Sequence, residues 1–77
     1  MLEPEPLKRL GAVVHNRRVE LGLSQEELGK RAGLHRNYVG GIERGERNIG
    51  FINLLHVARA LEWTLVQLAA AVEASGE

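Results

Sequence analysis

Residues 23–48 read LSQEELGKRAGLHRNYVGGIERGERN, and this stretch decides the fold. Ser24 precedes an apolar-periodic segment, and Glu27 follows three residues later. That is the spacing of a capping box. The serine hydroxyl accepts the amide at the third helical position, and the glutamate reaches back to the serine amide. A helix is therefore expected over 25–32, ended by Gly33, which takes positive φ without steric cost. Leu34 restarts the apolar pattern, and Tyr38, Val39 and Ile42 continue it at helical spacing. A second helix is expected over 36–43, closed by Arg44 and Gly45.

Two short helices joined by a glycine turn form a helix-turn-helix, here over about 24–43. The second helix of such a unit is of a size to enter the major groove of duplex DNA. On the N-terminal side, residues 1–6 contain Pro4 and Pro6 and read as a flexible arm. A helix over 7–21 follows, with Leu7, Leu10, Val14 and Leu21 on one stripe and Arg18 within it. On the C-terminal side a polar loop leads to a helix over 51–61, with Phe51, Leu54, Leu55, Ala58 and Leu61 directed inward. Thr64 and Gln67 form a second capping box, opening a helix that carries Leu65, Val66, Leu68 and Val72. The domain is expected to span 7–74, with 75–77 as a tail. No segment reads as a strand, so the fold class is all-α, a five-helix globule.

Seventy-seven residues suffice for one domain. A chain this short buries only about 60% of its unfolded surface, so dimerisation is a natural source of added stability. The absence of cysteine excludes disulfides and thiolate metal sites. His15, His35 and His56 stand too far apart to form a close metal pair, so no metal is expected. No paired acid and base, nucleophile or cofactor motif is evident, so neither catalysis nor a cofactor is expected. No apolar run approaches the roughly 20 residues of a membrane span, and the N-terminus lacks a secretory apolar core; a cytoplasmic protein is expected. The formal net charge is zero, but all ten Lys and Arg lie between Lys8 and Arg59 with only five of the ten acids. The middle is thus +5 and the two ends together −5. A basic middle suits phosphate binding; an ordinary mixed solvated surface is the other reading.

The spacing S-Q-x-x-L-…-A-G-L-…-I-E-R-G resembles the Cro/lambda-repressor-like helix-turn-helix family of phage and bacterial regulators, of the xenobiotic-response-element type. The resemblance covers roughly residues 8–70, and the ensuing E-R-N is similar to the small controller proteins of restriction-modification systems. It implies a five-helix lambda-repressor-like DNA-binding domain. Gln25 opens a helix whose unpaired amides and dipole attract phosphate, and the family's matching glutamine grips the DNA backbone. Arg36 and Asn37 match the base-reading positions, where Arg donates to guanine O6 and N7 and Asn pairs with adenine. Tyr38 fits either a phosphate contact through its hydroxyl or a place in the core. His35 stands where the family often has a Ser or Thr cap, so either it contacts phosphate or the helix starts less firmly.

Arg44 and Asn48 suit phosphates, and the matching arginine of controller-like relatives suggests that Arg47 reaches a base. The family also places an ion pair at Arg18 and Glu43, orienting the second helix of the motif. Around the fifth helix, relatives build a two-fold contact. There Trp63, Leu65, Val66 and Leu68 are expected at a dimer interface, the alternative being that Trp63 closes the core of a monomer. Gly40 and Gly41 depart from the pattern, because relatives often carry a longer, base-contacting side chain at 41; close packing is the plain reading. Ile49 and Gly50 replace the usual Pro and Ser or Thr, so the fourth helix should be weakly capped.

These features together predict a sequence-specific double-stranded DNA-binding transcriptional regulator. It would act as a homodimer on a pseudo-palindromic operator, as an autoregulatory controller without a small-molecule effector. An antitoxin that binds a toxin protein and its own operator, and a helical protein-interaction domain, are the alternatives.

Overall fold

The computed structural model describes residues 5–76; residues 1–4 and 77, in the expected arm and tail, lie outside the described residues. Five helices follow one another: α1 (Glu5–Glu20), α2 (Gln25–Ala32), α3 (Arg36–Glu43), α4 (Phe51–Ala60) and α5 (Leu65–Ala74). No strand occurs among the described residues. The arrangement is the all-α, lambda-repressor-like one. Among the described residues no helix is long and apolar enough to cross a membrane.

Local chemistry explains the boundaries. Ser24 accepts the Glu27 amide at 3.0 Å and Glu27 answers the Ser24 amide at 2.8 Å, completing the box that opens α2. Thr64 and Gln67 repeat it at α5, at 3.1 and 2.8 Å. Gly33 ends α2 at φ 72°, in the left-handed region. Gly50 caps α4 without any side-chain hydrogen bond, as the missing Ser or Thr implies.

Three expectations need correction. Glu5 and Pro6 belong to the first turn of α1 rather than to an arm. Proline is tolerated there because a first-turn N–H has no intrahelical partner. Ser75, expected in the tail, closes α5, its hydroxyl donating to the Val72 carbonyl at 2.7 Å. Phe51, expected inward, is 63% exposed. It is the first residue of α4, and helical side chains lean toward the N-terminus, so its ring projects beyond the core.

The core joins all five helices. Val14 of α1, Leu28 of α2, Val39 and Ile42 of α3, Val57 of α4, Leu61 at its C-cap and Leu68 of α5 are closed to solvent. α2 packs on α3 and α4, α1 on α3 and α5, and α4 on α5. One close approach sets the geometry of the motif. Gly11 of α1 faces the Ile42 and Glu43 carbonyls so closely that a Cβ there would collide with both. His15 and Arg18 stand one and two turns further along the same face of α1. The approach at Gly11 therefore brings both side chains to the end of α3.

Candidate nucleic-acid interface

The motif is held by one carboxylate. Arg18 Nε donates to Glu43 Oε2 at 2.6 Å and its Nη2 to Oε1 at 3.0 Å, while Nη1 donates to the Leu23 carbonyl at 2.8 Å. The two side chains are only 11% and 5% exposed. Gln25 Nε2 donates to the same Oε1 at 3.0 Å. His15 Nδ1 lies 3.1 Å from both Glu43 Oε1 and Arg18 Nη2; it can donate to the first or accept from the second. Burial pushes the Glu43 carboxyl up, but hydrogen bonds from Arg18, Gln25 and His15 outweigh it and hold the carboxyl below its ordinary value. The same pairing with Glu43 raises the Arg18 guanidinium further.

Glu43 thus ties α1, the amino end of α2 and the carboxyl end of α3 together. Gln25 sits half-buried, its amide turned to this carboxylate rather than free. Gly40 makes room for this: a Cβ there would lie 3.0 Å from Arg44 Nη1 and 3.5 Å from Gln25 Oε1. The sequence marked Arg18 and Glu43 as a pair and Gln25 as a separate surface residue. The structure makes them one network.

At the start of α3, His35, Arg36 and Asn37 are exposed. His35 does serve as the cap, its Nδ1 accepting the Asn37 amide at 3.0 Å. An Nδ1 that accepts leaves the ring proton on Nε2, free to donate outward. Capping and an outward donor are therefore compatible in one histidine. The Arg36 and Asn37 side chains bond to no protein group among the described residues. Tyr38 is half-buried against the core, with the Arg47 guanidinium 5.2 Å from its ring centroid. Arg44, Arg47 and Asn48 are exposed beyond the helix, and Arg44 pairs with Glu46 at 3.1 Å.

The residues expected at a dimer contact divide. Leu68 is 1% exposed and belongs to the protomer's own core, so it is corrected from interface to core. Trp63 packs against that core, and the Arg17 guanidinium lies 4.8 Å from its ring centroid while Arg17 Nε donates to the Leu61 carbonyl at 3.0 Å. Val66 is 77% exposed and Leu65 half-buried. Leu65 lines an apolar groove of about 400 Å³ between α1, α4 and α5, with Leu10, Leu54 and Val72. Arg17 was not singled out in the sequence. Neither was Arg31 of α2, which meets Glu62 in the turn between α4 and α5 at 3.2 Å.

Comparison with known proteins agrees with this geometry. The helix-turn-helix family matches residues 14–68. Control protein C.SmaI of Serratia marcescens is 46% identical over 46 residues, covering 60% of this chain and 55% of that protein. The chain thus spans about half the length of that relative. The crystal structure of the restriction-modification controller protein C.AhdI from Aeromonas hydrophila is 44% identical, with a TM-score of 0.78 over 80% of this chain and 94% of that one. The controller protein C.Esp1396I, solved as a tetramer on its natural 35 base-pair operator, is 30% identical, with a TM-score of 0.84 over 91% of this chain and 92% of that one. The chain belongs to the helix-turn-helix family, and its similarity within it runs to the controller proteins of restriction-modification systems.

Proposed function

We propose that this chain is a sequence-specific double-stranded DNA-binding transcriptional regulator, a controller that acts on its own operon as a dimer. The observation that carries the proposal is the exposed first turn of α3. Arg36 and Asn37 are exposed there and bond to no protein group among the described residues, on a helix locked to α2 through Gln25 and Glu43. Side chains of these types pair with guanine and adenine edges in the major groove. The amides of Gln25 and Glu26, His35 Nε2, Arg44 and Asn48 supply donors suited to phosphates on either side. Tyr38, half-buried, supports Arg47 rather than standing free. The operator complex of C.Esp1396I supports the same assignment of function.

For the dimer, the supporting features are the groove between α1, α4 and α5 and the exposed Val66, next to Leu65 in α5. Two copies of α3 would then meet half-sites about 34–36 Å apart on one face of the duplex. Titration of a labelled duplex from upstream of the gene tests the function. The proposal expects saturable binding that weakens steeply with salt and with substitution of Arg36. Equal affinity for that duplex and for unrelated sequence would contradict it.

A further inference from the structure

Gly41 stands in the middle of α3, where an exposed face would ordinarily carry a side chain. It is buried nonetheless, because the Arg47 stem covers it. A Cβ built on Gly41 would lie 2.9 Å from Arg47 Cγ and 3.1 Å from Nε. Carbon atoms in contact prefer about 3.5–4.0 Å, so any side chain at 41 must displace Arg47. Tyr38 is three residues earlier, one turn nearer the start of α3 and on the same face. The Arg47 guanidinium sits over its ring, 5.2 Å from the centroid. Arg47 therefore leaves the loop after α3, crosses the helix at Gly41, and ends over Tyr38, in the same first turn of α3 as Arg36 and Asn37. Its neighbour Glu46 is taken by Arg44, and no carboxylate among the described residues pairs with Arg47.

We propose that Gly41 is a specificity-determining position: its bare backbone and the Tyr38 ring form a seat that holds Arg47 along α3, ready to read a guanine edge. At position 41 the helix carries no side chain of its own, and the seated arginine replaces it. Gly41 acts through Arg47 and is a positioning residue, touching no base itself. A free arginine must lose rotamer freedom on binding, whereas a seated one has lost most of it already. The inference rests on the DNA-binding reading above and adds the means by which one base pair is discriminated.

The test is affinity of the full chain for a panel of duplexes carrying each single base-pair substitution of its operator. Arg47→Ala should lose discrimination, about tenfold or more, at one base pair per half-site. Arg47→Lys should lose it at the same pair while keeping the salt dependence, since lysine retains the charge without the fork. Gly41→Ala should erase the preference at that same pair and leave the Arg36-dependent pair untouched. Its helical content should hold, because alanine favours a helix over glycine. The double variant should lose no more than Arg47→Ala alone. Should Gly41→Ala not fold, Tyr38→Phe, which retains the ring, should keep the preference and Tyr38→Leu should lose it. A Gly41→Ala protein with the wild-type preference at that pair, or one weakened equally on every sequence, would overturn the proposal. Wild-type protein that binds no duplex would overturn the DNA-binding reading itself.

Discussion

Arg18 and Glu43 meet fork to fork, Nε on Oε2 at 2.6 Å and Nη2 on Oε1 at 3.0 Å, and with Gln25 on the same carboxylate they join three helices. Removing the carboxylate would leave the guanidinium without its partner in a site nearly closed to water. Glu43→Ala should therefore cost about 3–5 kcal/mol, read as a lowered midpoint in urea unfolding. Gln25→Glu should also destabilise the fold, by setting a second negative charge beside Glu43, whereas Gln25→Ala should cost less. A Glu43→Ala protein that unfolds with the wild type would contradict the network.

Acid should act through the same carboxylate. Both Glu43 and Glu27 have carboxyls held below their ordinary value. In Glu43, hydrogen bonds overcome burial; in Glu27, the Ser24 amide and then its hydroxyl are the leading causes. Depressed folded values mean that the unfolded chain binds more protons at acid pH. The stabilisation is thus complete above the ordinary glutamate value of about 4.3 and is lost as pH falls through the lower folded values. Urea midpoints measured from neutral pH downward should stay level and then drop below that value. Glu27→Gln should drop less. A midpoint independent of pH across that window would count against both interactions.

The cap of α3 offers a separate check. His35→Ala should remove the acceptor for the Asn37 amide and cost about 0.5–2 kcal/mol, while His35→Ser should restore it. Thermal unfolding of the two variants decides the point. Equal melting of both with wild type would show that the histidine contributes nothing as a cap.

Much of this was legible because its causes are local. Ser24 with Glu27, and Thr64 with Gln67, close within three residues, so the starts of α2 and α5 could be read from spacing. The apolar stripe of α1 was equally plain. Its contact with α3 was legible only at Arg18, marked as the partner of Glu43: Gly11 and His15 carry no hydrophobic period, and only the approach of α3 gives them a role. Arg17 on the Leu61 carbonyl and Arg31 on Glu62 bridge residues far apart in sequence, where no short-range pattern exists. The same distance hid Gln25 from Glu43. The bare surface at Gly41 read as a missing contact, because Arg47 returns to it from beyond the helix.

Of the four residues expected at a dimer contact, the one proposed above rests on Leu65 and Val66 rather than on Trp63. Leu65→Glu or Val66→Glu should yield monomers of unchanged helical content, as sedimentation would show. Trp63→Ala should instead destabilise the protomer, since its ring packs on the core under Arg17. Dimers that persist in both glutamate variants would place the contact elsewhere.

The central claim is that α3 reads duplex DNA, and salt titration on the operator tests it most directly. Binding of wild type and Arg36→Ala should be followed by fluorescence anisotropy between about 50 and 300 mM salt, on the upstream duplex and on a scrambled one. The account predicts that log affinity falls linearly with log salt for wild type. It also predicts that Arg36→Ala loses about 1–3 kcal/mol at one base pair per half-site while keeping the slope. Wild-type binding that ignores salt, or that fails to distinguish the two duplexes, would contradict it.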